Sequence, residues 1–305
     1  MANSLLNADH IAALAVELVK RDLVLGDLVH RDYAAEFGGG RGETIRVRVP
    51  GALPARTRDG SDKTTALVDD EIAEQSIPVT LDTLAYSSVL MSESDMTLNI
   101  EDFGRQVLKP QTDALVAYCE RAIVGAMSAT PDTVGITLDP AAPAKMFTRI
   151  RTALRNNGVS AAMPIRAVVG TDVAAALLDG PAGTWDADGS ATAEAGTAMG
   201  RVRGITVYES NRFAVDEVIG FVPNAFTLAV RAPVVPQGAT AGRSLSANGF
   251  ALRWVADYLS AQAADRSLLA TFVGAKAMPL PIVNETTGAV TLTPHAGAVR
   301  VLTGA

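Results

Sequence analysis

An α+β fold is predicted by three features of the sequence. Ile100, Phe103, Val107, Leu115, Cys119, Ile123 and Met127 recur at helical spacing, so they share one face of a long helix. Several short stretches alternate apolar and polar residues; the clearest sets Ile45, Val47 and Val49 against Thr44, Arg46 and Arg48, the period of a half-exposed strand. Helices and strands also interleave without a regular βαβ succession, which argues against a doubly wound parallel sheet.

The elements follow in order. Ile11, Leu14, Leu18 and Val19 keep a helical period that Leu23, Leu25 and Leu28 continue less regularly, predicting an N-terminal helix and then an extended arm. The stretch EFGGGRGETIRVRVPG (36–51) brings glycines and the first strand. Residues 50–70 are polar and turn-rich, with Asp59-Gly60 as a hairpin signal, and SIPVTLDTLAYSSVLMS (76–92) is extended again. Strand, exposed tip and returning strand make a two-stranded arm, which cannot bury both faces by itself and needs a partner surface.

The long helix runs from Ile100 to about Met127, with a kink or break expected at Pro110, which lacks a backbone donor. Asp139-Pro140 is read as the start of the next helix, Met146, Phe147, Ile150 and Leu154 as its buried face, and Gly158 as its C-terminal stop. IRAVVG (165–170) is a buried strand, and Thr171 or Asp172 caps a short helix through Leu178. A loop spans residues 180–200. GITVYES, VIGFV, AFTLAV, GFALRWVADYLS and SLLATFVG are the later strands.

Composition limits the function. The 305 residues are 48% hydrophobic, a globular balance with room for a large core. A net charge of −7 argues against a protein that coats nucleic acid. The single cysteine, Cys119, rules out an intrachain disulfide and a cysteine-based zinc site. No stretch of about 18 apolar residues spans a membrane, and the first residues lack a signal-peptide pattern.

No catalytic, metal or cofactor site is expected. A phosphate loop needs Gly-Lys-Ser/Thr running into a helix, whereas Gly38, Gly39, Gly40 and Gly42 lead through Arg41 and Glu43 into a strand. They read instead as a hinge at the base of the arm. His10, His30 and His295 form no metal or nucleophile motif, and the WDADGS stretch (185–190) has its glycine too early for a calcium loop.

The arm carries the functional signal. Arg46 and Arg48 project from one strand face, Arg56 and Arg58 follow toward the tip, and Asp69, Asp70 and Glu71 lie on the return. These side chains suit contacts with a neighbouring subunit, arginine forks meeting carboxylates while the aliphatic face is buried across the boundary.

The order of ANSLL, GETIRVRVP, DFGRQVLKPQTDALVAYCERAIV, GITVYESNRF, AFTLAVRAP and GFALRWVADYLSAQAADRSLLATFVGAKA resembles the major capsid proteins of tailed bacteriophages, which share the Hong Kong 97 capsid fold. The nearest branch is similar to the coat proteins of Salmonella-type short-tailed phages, though the chain is too short for their inserted domain. The resemblance covers about residues 2–278. It implies an N-terminal helix and arm (1–41), an extended loop (42–87), a peripheral domain with the spine helix (88–129 and 239–276), an axial domain (130–238) and a C-terminal segment (277–305). It further implies hexamers and pentamers of the chain itself closing an icosahedral shell around double-stranded DNA, bound without sequence specificity. A separate scaffolding protein, a portal and a decoration protein are the other implied partners, with assembly in the host bacterial cytoplasm and no membrane. The alternatives are the shell protein of a cellular nanocompartment of the same fold, a nucleotide-binding enzyme, and a tail or decoration protein.

Overall fold

Helical spacing in the sequence and burial in space agree along the spine of the molecule. The computed structural model describes residues 8–22, 24–31, 44–49, 53, 55–62, 64–67, 69, 71–72, 75–95, 102–181, 185, 198–247, 250–284 and 289–304. Helix α1 (Ala8–Asp22) buries Ile11, Ala12, Ala15 and Val16, and a single turn, α2 (Leu25–Leu28), follows. Between them the Glu120 carboxylate accepts hydrogen bonds from the N–H groups of Val24 (3.0 Å) and Leu25 (3.4 Å). A side chain from the long helix thus takes backbone donors at the start of α2.

The long helix has two parts. A π-helical turn, Gly104–Leu108, runs into α3 (Lys109–Ser128). Pro110 therefore falls in the first turn of the α-helical part, where its missing donor costs least, and the irregularity expected at the proline is a change of hydrogen-bonding pattern just before it. At 20 residues α3 is about 30 Å long. Leu115, Cys119, Ile123 and Met127 are fully buried four residues apart, each apolar side chain stabilising the fold by roughly 1.5–3 kcal/mol.

They pack on a sheet ordered β3 (Thr83–Ser92), β11 (Ala264–Ala277), β10 (Phe250–Leu259), β9 (Ala241–Ala247). All its pairings are antiparallel, and β8 (Phe226–Arg231) pairs with the last six residues of β11. A closed polar network fixes helix to sheet. Gln111 Nε2 donates to the carbonyls of Ser87 (3.0 Å) and Ser267 (2.9 Å), Ser267 Oγ donates to Gln111 Oε1, and Trp254 Nε1 donates to Ser267 Oγ (3.0 Å). With every partner satisfied, such a network fixes one register of helix on sheet. In β10 the residues between Phe250, Leu252 and Trp254 are not the solvent-facing set that alternation suggests. Ala251 and Val255 are buried too, and Pro233 to Val235 lie against this side, with Arg253 Nη1 donating to the Val234 carbonyl (2.8 Å) and Ser244 Oγ to the Pro233 carbonyl (2.6 Å).

The second sheet runs β14 (Ala298–Leu302), β7 (Glu217–Phe221), β4 (Arg166–Val169), β6 (Ile205–Glu209), β5 (Ala198–Val202). Only β4 and β6 are parallel, and α5 (Thr171–Leu178) lies in the connection between them. The C-terminal segment thus contributes a strand to this sheet, and its hairpin of β12 (Leu280–Val283) and β13 (Val290–Thr293) precedes that strand. Helix α4 (Ala144–Asn156) covers one face with Met146, Phe147, Ile150 and Leu154.

Two helix starts differ from the sequence reading. Asp139 closes a turn, accepting from the Ala141 N–H through Oδ1 (3.0 Å), and α4 begins only after Pro143. Asp139-Pro140 is a local capping signal, but the second proline, Pro143, is the one at the helix boundary. For α5 the N-cap is Gly170, not Thr171 or Asp172; a β-carbon there would lie 2.1 Å from the Ala214 carbonyl oxygen, so this close backbone approach requires glycine. Gly158 is as expected, in the left-handed region (φ +88°), where the Val159 N–H closes onto the Leu154 carbonyl at 3.2 Å.

Candidate assembly surface

The arm is a ribbon of β1 (Thr44–Val49) and β2 (Gln75–Thr80), antiparallel from Thr44 opposite Thr80 to Val49 opposite Gln75. Alternation sends Val47, Ile77 and Val79 to one side, and all three are buried with Leu81, Ala229 and Met278. The cover for this face therefore comes from the same chain. That corrects the expectation that a neighbouring subunit buries the arm's aliphatic side, at least along this ladder. Two polar details fasten the root: Lys276 Nζ donates to the Pro78 carbonyl at 2.7 Å, and Gly274 admits the Thr80 carbonyl where a β-carbon would stand 2.4 Å away.

Among the described residues the ladder ends at Val49 and Gln75. Asp59-Gly60 does turn the chain, the Asp62 N–H donating to the Asp59 carbonyl at 3.1 Å, yet no strand pair flanks it among the described residues. The far end is organised by side chains instead. Asp59 Oδ1 accepts from Ser61 N–H (2.9 Å) and Ser61 Oγ (2.7 Å). Asp62 accepts from the Thr65 hydroxyl, from Thr64 N–H (2.8 Å) and hydroxyl (2.8 Å), and from Thr65 N–H (3.2 Å). Arg58 Nη1 closes the turn on the Thr65 carbonyl at 2.7 Å. Hydrogen bonds to the charged form hold both carboxyls below the usual carboxylate range, Asp62 well below it through the Thr65 hydroxyl first and Thr64 next. The tip has a defined shape while standing in water, so little ordering remains to be done on contact.

The residues assigned from sequence fall out as follows. Arg46 is exposed, opposite Pro78 in the ladder. Arg48 pairs with Ser76 through its backbone, and its side chain lies outside the described residues. Arg56, Arg58, Asp69 and Glu71 are all exposed around the far end. Asp70 and the hinge glycines Gly38, Gly39, Gly40 and Gly42 lie outside the described residues, as do residues 186–190 of the WDADGS stretch. Charge scanning missed the apolar part of this surface. Leu53, Leu67 and Ile72 stand 49%, 76% and 66% exposed, and Leu84, Tyr86 and Leu90 form an exposed row on β3. For the second group the available signal was that Leu84, Tyr86 and Leu90 of TLAYSSVL stand at even spacing and so share one strand face; the first has no periodic signature. Asp62 was missed as well, although Asp followed by paired threonines is a turn-forming pattern.

Behind the arm, two buried carboxylates tie the chain's segments together. Glu120 also pairs with Arg212, between β6 and β7. Glu217 accepts from Ser128 Oγ at the end of α3 (2.9 Å) and from Arg300 Nε of β14 (2.6 Å). The N-terminal segment crosses between sheets: Arg166 of β4 donates to the Leu28 carbonyl (2.7 Å), and His30 exchanges backbone hydrogen bonds with β8. Cys119 sits in this core, its thiol pushed up to about 12 by burial and by the adjacent Glu120 charge, so it is an unreactive packing residue. Among the described residues no three His, Cys, Asp or Glu side chains gather as metal ligands, and no helix is long and apolar enough to cross a membrane.

No protein-family model matches the chain, and no curated protein does. Solved structures do. The capsid of Ralstonia phage GP4 aligns with a TM-score of 0.61 at 10% identity, over 90% of this chain and 87% of that one. A structure from Mycobacterium phage Che8 aligns with a TM-score of 0.57 at 17% identity, over 92% and 90%. The capsid of Cyanophage P-SCSP1u gives 0.53 at 11% identity, over 86% and 84%. Likeness over nearly the whole of both chains, at identities this low, shows a shared fold: the α+β architecture is that of the Hong Kong 97-type capsid chains.

Proposed function

We propose that this chain is the major capsid protein of a tailed bacteriophage, assembling through hexamers and pentamers into an icosahedral shell around double-stranded DNA. The observation that carries the reading is an arm fastened to its own subunit at the root and bare, yet shaped, at the tip, on a fold shared with phage capsid chains. A ribbon of that kind has a fixed direction and an unsatisfied end. Leu53, Leu67 and Ile72 supply apolar area for a neighbour, at roughly 25 cal/mol per Å² buried, with Arg46, Arg48, Arg56, Arg58, Asp69, Asp70 and Glu71 setting register around them. Many such contacts per shell act together, so none has to be strong.

Several finer assignments belong to the same proposal. The division into N-terminal arm (1–41), extended loop (42–87), peripheral domain (88–129 and 239–276), axial domain (130–238) and C-terminal segment (277–305) is one. The glycines Gly38, Gly39, Gly40 and Gly42 as the hinge of the arm are another. A likeness to the Salmonella-type short-tailed branch rests on the order of sequence features. Scaffolding, portal and decoration proteins would be separate chains, packaged DNA would be held without sequence specificity, and assembly would take place in the host bacterial cytoplasm. The reading needs no enzymatic step, cofactor or metal.

Negative-stain electron microscopy of the purified chain, alone and with a candidate scaffolding protein, tests the proposal. Closed shells or capsomer-like rings are expected, and the double variant Arg46→Glu, Arg48→Glu should stay folded while forming neither. A monodisperse monomer under every condition would overturn the reading; normal particles from the double variant would overturn the arm's part in it.

A further inference from the structure

Helix α4 buries Met146, Phe147, Ile150 and Leu154 against the second sheet, which fixes the opposite side toward solvent. Every charged residue on that outer side is a cation: Lys145, Arg149, Arg151 and Arg155. Exposed Thr148 and Thr152 lie between them. No carboxylate occurs anywhere from Pro140 to Thr171, in a chain whose net charge is −7. Helix α4 is therefore a locally positive, rigid element in an acidic chain.

Its compensation is sparse. Lys145 has an exposed ion pair with Asp139 at 3.5 Å. Arg151 donates to the Arg203 carbonyl at 2.9 Å, and the Arg155 guanidinium donates to the carbonyls of Val159, Ser160, Ala161 and Met163, closing that loop. Neutral carbonyls orient these guanidinium groups without cancelling their charge. Arg149 makes no hydrogen bond and no ion pair with any described residue. The face also has no exposed apolar side chain, whereas the core of a protein–protein interface is built on aromatic and aliphatic anchors with few charges. Arginine with threonine is the donor set that meets phosphate oxygens.

We propose that the outer face of α4 is a binding surface for the phosphate backbone of duplex DNA, independent of base sequence. Thirteen residues of helix offer cations along about 20 Å, facing a duplex with one negative charge per roughly 1.7 Å. Three uncompensated guanidinium groups give a weak contact for one subunit, which many copies on one surface would multiply. The shell reading supplies only the source of the duplex; binding itself is a property of the unassembled chain.

The test is fluorescence anisotropy of a short labelled DNA duplex with unassembled protein, between about 50 and 200 mM salt. Counterion release at three phosphates gives a slope of log affinity on log salt of about −2.7, a fall of about fortyfold over that range. The variant Arg149→Gln, Arg151→Gln should bring the slope to about −0.9. Arg149→Gln alone, which removes no hydrogen bond, should lower it by one third of the wild-type value. A control with the same charge change on the long helix, Arg105→Gln with Arg121→Gln, should leave the slope where it was. Equal losses in the α4 and control variants would overturn the proposal, as would binding insensitive to salt. Polyglutamate that displaces the duplex at equal charge concentration would overturn it in favour of an acidic protein partner. Shells that form from a chain without duplex binding sink this inference alone, whereas duplex binding by a chain that never assembles leaves it standing and sinks the shell reading.

Discussion

At the root of the arm Val47, Ile77 and Val79 are buried, while Leu53, Leu67 and Ile72 toward its far end are exposed. Both groups are aliphatic and belong to one excursion of the chain between residues 44 and 80. They differ in what covers them. The root lies on Ala229, Leu81 and Met278 of its own subunit; around the tip, among the described residues, polar turns at Asp59 and Asp62 hold the chain. On the proposed shell reading, stability and assembly therefore fall to different residues of the same arm. Substitutions at its two ends should separate a folding defect from an assembly defect.

The largest effect should come from the root. Ile77→Ala removes a buried side chain between two β-layers and should cost about 2–5 kcal/mol, read as a lowered urea midpoint for the unassembled subunit. A comparable loss should follow at the other self-fastened segment. Glu120→Gln takes the charge from a carboxylate that holds Arg212 and the Val24 and Leu25 N–H groups. Removing one partner of a buried pair costs about 3–5 kcal/mol, and the partial exposure of Arg212 puts this site at about 2–3. Faster hydrogen exchange confined to residues 24–31 would locate the loss; unchanged exchange there would break the claim that this carboxylate secures the segment.

The tip should behave in the opposite sense. Leu67→Ser combined with Ile72→Ser touches no buried contact and should shift subunit stability by no more than about 0.5 kcal/mol for each site. Particle yield by sedimentation should nonetheless collapse. If instead yield held and the urea midpoint fell, the division between root and tip would be wrong.

Much of this was legible from sequence, and the boundary of legibility has a physical cause. Local periodicity reports burial along one element, so β1, β6, β7, β8, the long helix and the buried face of α4 could be read directly. Which element provides the cover is not local. Alternation in GETIRVRVP says that one face is buried, but Ala229 and Met278 lie far away in the sequence, and nothing near Val47 indicates that they, not another subunit, are its cover. The same holds for β14, whose place beside β7 is set by Glu217 and Arg300 across the fold. The helix starts failed for a different reason. Asp139 and Thr171 are good capping residues by type, and the winning positions, Pro143 and Gly170, were decided by the second proline and by the approach of Ala214. In the candidate site the charged residues could be singled out because charge is visible in sequence; exposed leucines look like core.

The smallest expected effect concerns the shape of the tip. Asp62 is held well below the usual carboxylate range by hydrogen bonds from Thr65 and Thr64. A depressed folded-state pKa stabilises the turn above the ordinary carboxylate pKa, and that contribution is lost only as pH falls through the lowered value. The turn should therefore keep its form through mildly acidic solution and loosen only in strong acid. Carboxyl carbon shifts of Asp62 followed by NMR should show this, with the midpoint below the usual carboxylate range. Asp62→Asn keeps an acceptor but discards the charge, and should abolish the acid transition while leaving the global urea midpoint unchanged. If Asp62 titrated within the usual carboxylate range, the tip would have no charge-dependent order of its own. The neighbouring subunit would then have to impose its shape, and the tip's contact would carry an ordering cost that the root, already packed, does not.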